Sequence, residues 1–156
     1  MYKVNYEQAL NRLANYCSRS ERCIQDVRRK LDALEIAKED QEKIIRRLQQ
    51  EKFLDERRYC KAFVNDKSKY AHWGALKIKY ALKKKQISDD LIREALENIN
   101  PEESQEQLRQ LIEQKRKSVK GKNEWEIRQK LMRFAVGRGF SLEEVEEILH
   151  PKTLKT

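Results

Sequence analysis

Apolar residues recur along this chain at spacings of three and four, the period of helices that bury one face. Leu10 and Leu13 open the series, followed by Val27 and Leu31, then by Ile44, Ile45 and Leu48. The same order returns with Tyr59 and Phe63, then Ile78 and Leu82, then Leu91, Ile92 and Leu96. It returns again with Leu108, Leu111 and Ile112, then Ile127 and Leu131, then Val145, Ile148 and Leu149. The middle stretch of each set places a β-branched residue four positions before a Leu, with Arg28, Lys79 or Arg128 directly after the first. These stretches lie 51 and then 49 residues apart. The pattern predicts three tandem repeats of three short helices, an all-α fold. Repeat boundaries are expected at 5–53, 54–100 and 101–150, with a tail at 151–156.

Helix-end chemistry refines the cuts. Ser20 is expected to N-cap the second helix, Asp55 the fourth and Ser88 the sixth, the last with Asp89 and Asp90 in the first turn. Asn100-Pro101 reads as a cap followed by Pro at the first helical position, and Ser141 with Glu144 as a capping box. Gly137 and Gly139 end the eighth helix, and Pro151 follows the ninth. Helices are therefore expected at 5–17, 20–34, 39–52, 55–67, 73–85, 88–99, 101–117, 123–136 and 141–150. A unit of about 50 residues buries little surface alone. The repeats are expected to form an elongated, curved array.

Composition fits many thin helical layers. Charged residues make up 39% and hydrophobic residues 38%, with only 4 Gly and 2 Pro to make turns. No stretch approaches the roughly 18 apolar residues of a membrane span, and the first residues lack the apolar run of a signal peptide. Cys17, Cys23 and Cys60 are odd in number and fall at helical positions, as reduced thiols would in a cytoplasmic protein. The expectation is a monomeric protein of the cytoplasm.

Catalytic patterns are missing. His72 and His150 have no metal-ligand spacing around them, and no two cysteines form a zinc or redox pair. The one glycine cluster, Gly137-Arg138-Gly139, reads as a helix stop and not a phosphate loop. The chain is read as a binding protein, with no cofactor and no metal.

A net charge of +9 turns attention to polyanions. The middle repeat carries Arg57, Arg58, Lys61, Lys67, Lys69, Lys77, Lys79, Lys83, Lys84 and Lys85, opposed between Glu56 and Ser88 only by Glu56 and Asp66. A second run holds Lys115, Arg116, Lys117, Lys120 and Lys122. The middle repeat is expected to supply the dominant electrostatic contact, with Tyr70 and Trp73 available for stacking. Trp73 and Trp125 are also expected to pack within their own repeats. Glu143, Glu144, Glu146 and Glu147 leave the last helix acidic.

Several segments resemble the RecX family of bacterial RecA regulators. The first repeat has Ala9-Leu10, Arg19-Ser20-Glu21 and Lys30-Leu31 in the family's order. Phe53-Leu54-Asp55-Glu56-Arg57-Arg58-Tyr59 is similar to its aromatic-Leu-Asp-acidic-Arg-aromatic signature, and Gly74, Ile78, Leu82, Lys85, Ile87, Ile92 and Ala95-Leu96 continue it. Gln86 departs from the family's usual Gly after the basic residue and alters a helix-ending turn. The first repeat's third helix is expected after a slightly longer turn. Gly74 is expected to let the fifth helix start close to another backbone.

The resemblance implies three-helix modules that bind the RecA filament on single-stranded DNA. It further implies inhibition of ATP hydrolysis and strand exchange, and hence modulation of recombinational repair and the SOS response. Two readings from other classes stand beside it: a basic helical module that binds nucleic acid without RecA, and a scaffold for an acidic protein.

Overall fold

The computed structural model describes residues 3–150; the predicted tail at 151–156 and the Pro151 stop lie outside that range. Among the described residues there are nine α-helices and no strand. They are α1 (Tyr6–Arg19), α2 (Ile24–Ala33), α3 (Lys38–Gln50), α4 (Glu56–Lys69), α5 (Ala75–Lys84), α6 (Asp89–Leu96), α7 (Pro101–Arg116), α8 (Glu124–Gly137) and α9 (Leu142–Leu149). The predicted helices are all present, with ends shifted by up to four residues.

The chain divides into two compact units. One runs to Phe63 and takes in Leu82–Ile92; the other holds Val64–Ala81 and the described residues from Arg93 onward. Each of α4, α5 and α6 is shared between the two. The first unit has a core of Leu10, Leu13, Val27, Leu31, Ile44 and Leu48, among others. The second has Leu108, Ile112, Leu131, Ala135, Phe140 and Val145. Sealing a Leu or Ile side chain from water contributes roughly 1.5–3 kcal/mol, which is why the period of three and four recurs.

Most helix starts follow the polar caps. The Asp55 carboxylate accepts from the backbone N–H groups of Arg57 and Arg58 at 2.9 and 3.1 Å. Ser88 Oγ accepts from Leu91 at 3.3 Å, and Asn100 from Glu102 and Glu103. Ser141 and Glu144 form the reciprocal box. Ser20 is a correction: it ends α1 in an extended conformation, and α2 begins only at Ile24. Arg22 explains the delay. Its Nε donates to the Tyr16 carbonyl at 3.2 Å and its guanidinium lies 3.9 Å from the Tyr16 ring, so this link stays extended. Asp26 then accepts from the Cys23 N–H at 3.2 Å to start the helix.

The three repeats share one turn. Four residues separate α2 from α3, α5 from α6 and α8 from α9, so the first repeat's turn is not longer than the others. Its second residue is left-handed each time: Glu35 at φ 56°, Gln86 at 62° and Gly139 at 101°. The third residue, Ile36, Ile87 or Phe140, packs inward, and its N–H closes the helix on Leu31, Leu82 or Ala135 at 3.1, 3.2 and 3.3 Å. This is the hydrogen bond of a Schellman cap, with its apolar anchor. Gln86 therefore stands at a backbone position that favours glycine. In the third repeat the cap falls on Ala135, not Leu131, because α8 runs one turn further.

Within the second unit, the loop between α4 and α5 is fastened to the turn after α8. Gly74 N–H donates to the Arg138 carbonyl at 2.7 Å and Leu76 N–H to the Gly139 carbonyl at 3.0 Å. A Cβ on Gly74 would stand 2.3 Å from the Gly139 backbone, inside any permitted contact. The close backbone approach expected at Gly74 is thus present.

Candidate anion-binding surface

The basic residues that the sequence groups together have three different surroundings. Some are tied into the fold of the first unit. Arg58 Nε donates to Glu21 at 2.6 Å while its Nη2 donates to the carbonyls of Lys52 and Phe53 at 3.0 and 3.3 Å. The Glu21 hydrogen bond raises the Arg58 pKa further, so this charge is permanent. Lys85 Nζ donates to Asp26 at 2.7 Å, with the Asp26 side chain only 13% exposed. Burial pushes the Asp26 pKa up, but the hydrogen bonds from Lys85 and the Cys23 N–H outweigh it and hold the carboxyl below its usual range. Lys83 faces Asp89 at 3.6 Å, and the Lys84 carbonyl accepts from Gln25 Nε2 at 3.3 Å.

Others project from helix faces and loops. Arg57, Lys61, Lys69, Lys79, Lys117, Lys120 and Lys122 are exposed. Arg116 pairs with Glu124 at 3.1 Å on the surface. Pairs of this kind contribute about 0–1 kcal/mol and leave the side chains available.

A third group gathers on two aromatic rings of the second unit. Lys67 and Lys77 place their ammonium groups 5.0 and 4.5 Å from the centre of the half-buried Trp73 ring. Lys115 and Arg138 sit 4.9 and 5.9 Å from the centre of Phe134. The two rings are linked through Arg138: its Nη2 donates to the Ala71 carbonyl at 3.3 Å, and its own carbonyl accepts from Gly74, on either side of Trp73. Lys77 lies against the same turn, since a Cβ on Gly139 would meet the Lys77 Cβ at 2.4 Å. Lys67 also has Asp66 at 3.7 Å.

Sequence reasoning missed Arg138, because its flanking glycines read only as a helix stop. The available signal was Phe134, one helical turn earlier on the same face. Trp125 is a correction of the opposite kind: it is 70% exposed on the first turn of α8. It precedes the inward Ile127 by two positions, about 200° around the helix. Tyr70, in the α4–α5 loop, is 75% exposed.

Other chemistry leaves little trace. Burial pushes the Cys17 and Cys23 thiols up to about 11, so both are neutral and poor nucleophiles near pH 7. Among the described residues no three His, Cys, Asp or Glu side chains are grouped to hold a metal ion, and no helix is long and apolar enough to cross a membrane.

The fold and surface together define a helical-repeat protein of three-helix units with cationic clusters. Residues 55–96 match the second three-helix domain of RecX, and residues 102–149 match the third. The regulatory protein RecX of Actinobacillus pleuropneumoniae serotype 5b is 35% identical over 139 residues, covering 88% of this chain and 87% of that protein. That of Clostridium acetobutylicum is 30% identical over 149 residues, covering 93% and 69%. The crystal structure of RecX from Lactobacillus salivarius superposes with a TM-score of 0.82 at 24% identity, covering 92% of this chain and 94% of the other. The chain belongs to the RecX family, and its role is that of a regulatory protein.

Proposed function

We propose that this protein binds the RecA filament assembled on single-stranded DNA and restrains it, lowering ATP hydrolysis and strand exchange. By that route it would modulate recombinational DNA repair and the SOS response. Family membership over nearly the whole described chain is the observation that carries this reading. A regulator of this kind acts by occupying a surface and needs no cofactor or metal of its own. We assign it the state of a cytoplasmic monomer.

The deciding measurement is ATP hydrolysis by the cognate RecA on single-stranded DNA, with and without the full chain. Suppression is expected well below one copy per RecA protomer, because several repeats let one molecule reach several protomers. Unchanged hydrolysis at equimolar protein overturns the reading. The cations on Trp73 and Phe134 favour a second reading, a nucleic-acid-binding module that acts without RecA. Order of addition separates the two. A RecA regulator acts on preformed filaments at concentrations too low to coat free DNA; a stand-alone module does not.

A further inference from the structure

We infer that Lys67, Lys77, Lys115 and Arg138 form a phosphate cradle for the backbone of a single-stranded polynucleotide. The inference deepens the proposed function by naming the site and its ligand. Four cations rest on two rings joined through one loop and one turn, yet like charges repel. Among the described residues Lys77, Lys115 and Arg138 make no ion pair with a carboxylate, and the buried Nε of Arg138 has no hydrogen-bond partner. A fold gains little from gathering such charges, whereas a polyanion gains from each of them.

The first unit provides a contrast. Arg22 and Lys30 also share a ring, at 3.9 and 4.9 Å from the centre of Tyr16. There the negative charge of Asp26 acts on the same ring, and Glu21 stands on the link that carries Arg22. Asp26 and Glu21 are themselves paired with Lys85 and Arg58, and the ring gathers two cations, against four on the linked pair of rings in the second unit.

Geometry favours a polynucleotide over an acidic protein surface. Phosphates repeat along a strand, which suits cations spread over two neighbouring rings. Bases carry π-faces, and Tyr70 stands 75% exposed in the loop that carries Trp73. The loop is also fixed in place. Gly74 and Leu76 bond it to the α8–α9 turn, so the cradle is ordered before a ligand arrives.

The test uses the full chain and fluorescein-labelled oligo(dT), without RecA. The chain has two tryptophans, so Trp125→Phe leaves Trp73 as the reporter. Oligo(dT) should quench it. Lys77→Gln with Lys115→Gln should weaken binding at least tenfold and flatten the salt dependence by about 0.7 for each phosphate no longer neutralised. Lys38→Gln with Lys43→Gln, a charge-matched pair on α3 of the first unit, should cost less than threefold. Arg138→Gln should add to the loss. Because Arg138 also bonds Ala71, its result counts only with an unchanged melting curve, while the lysine pair leaves that bond intact.

Equal losses from the two lysine pairs, or a Trp73 signal indifferent to oligo(dT), would overturn the cradle. So would a lysine pair that keeps oligo(dT) binding but no longer acts on RecA filaments, since the anion would then be an acidic protein face. If RecA hydrolysis is untouched by the wild-type chain while oligo(dT) binding still maps to these residues, the regulatory reading falls and the cradle stands.

Discussion

In the first unit, carboxylates hold two of the basic residues that the sequence groups together: Glu21 takes Arg58 and Asp26 takes Lys85. In the second, Trp73 and Phe134 hold Lys67, Lys77, Lys115 and Arg138. The difference matters for binding. A carboxylate neutralises its partner, and removing either member strands the other. An aromatic ring contributes about 0.5–1 kcal/mol at an exposed site and leaves the positive charge uncancelled. What a basic side chain rests on thus decides how much of its charge it presents to a polyanion.

The comparison breaks most severely at Gly74. Gly74→Ala forces a methyl group onto the Gly139 backbone, which should cost about 3 kcal/mol of stability. Urea denaturation measures that loss, and the α4–α5 loop should lose its hold on Trp73 with it. A variant as stable as the parent would mean that the loop and turn are not fastened together.

Next comes the Lys85–Asp26 pair. Lys85→Met should lower stability by about 2 kcal/mol at pH 7, the scale of a lost charged hydrogen bond. Its effect on oligo(dT) binding should be smaller than that of Lys77→Gln. The sign with pH follows from Asp26, whose pKa is held down in the folded state. Its contribution is fully present above the ordinary carboxylate range near 4 and is lost as pH falls through the lower folded value. Glu56 acts in the other direction. Burial raises its pKa, so protonation favours the folded state as pH falls. The melting temperature of Asp26→Asn, followed from pH 7 to 3, should therefore lose less on acidification than that of the parent. An equal loss would remove Asp26 from the acid response.

A smaller effect is expected at the shared turn. Gln86→Gly should raise stability by about 0.5–1 kcal/mol, because φ 62° suits glycine. Glu35→Gly, in the equivalent turn of the first unit, should do the same within error. The smallest is Lys77→Gln, which should shift stability by less than about 0.5 kcal/mol while weakening oligo(dT) binding. A large loss of stability there would show that the ring contact holds the fold.

Helix number, order and inward residues were legible because a period of three and four leaves an unambiguous mark. Asp55, Ser88, Asn100 and Ser141 were legible because a side-chain cap needs only local neighbours. Ser20 misled, since what delays α2 is the fit of Arg22 to Tyr16, which composition does not reveal. The surface was harder to read. Arg58 and Lys85 share the composition of Lys77, but their carboxylate partners lie 37 and 59 positions away. Arg138 went unseen for the same reason, because Ala71 stands 67 positions away.

A chain of similar units about 50 residues long could lose one of them whole. The strap between Gly74 and the Arg138-Gly139 turn ties a loop in the middle copy to a turn in the last one. A shortened descendant that ended at Asn100 would keep Gly74 and Trp73 but lose both carbonyls that fasten them. Loss of the last copy would also take Lys115 and Arg138. The third copy is therefore constrained by what it does for the second, and a chain without it should tolerate change at Gly74.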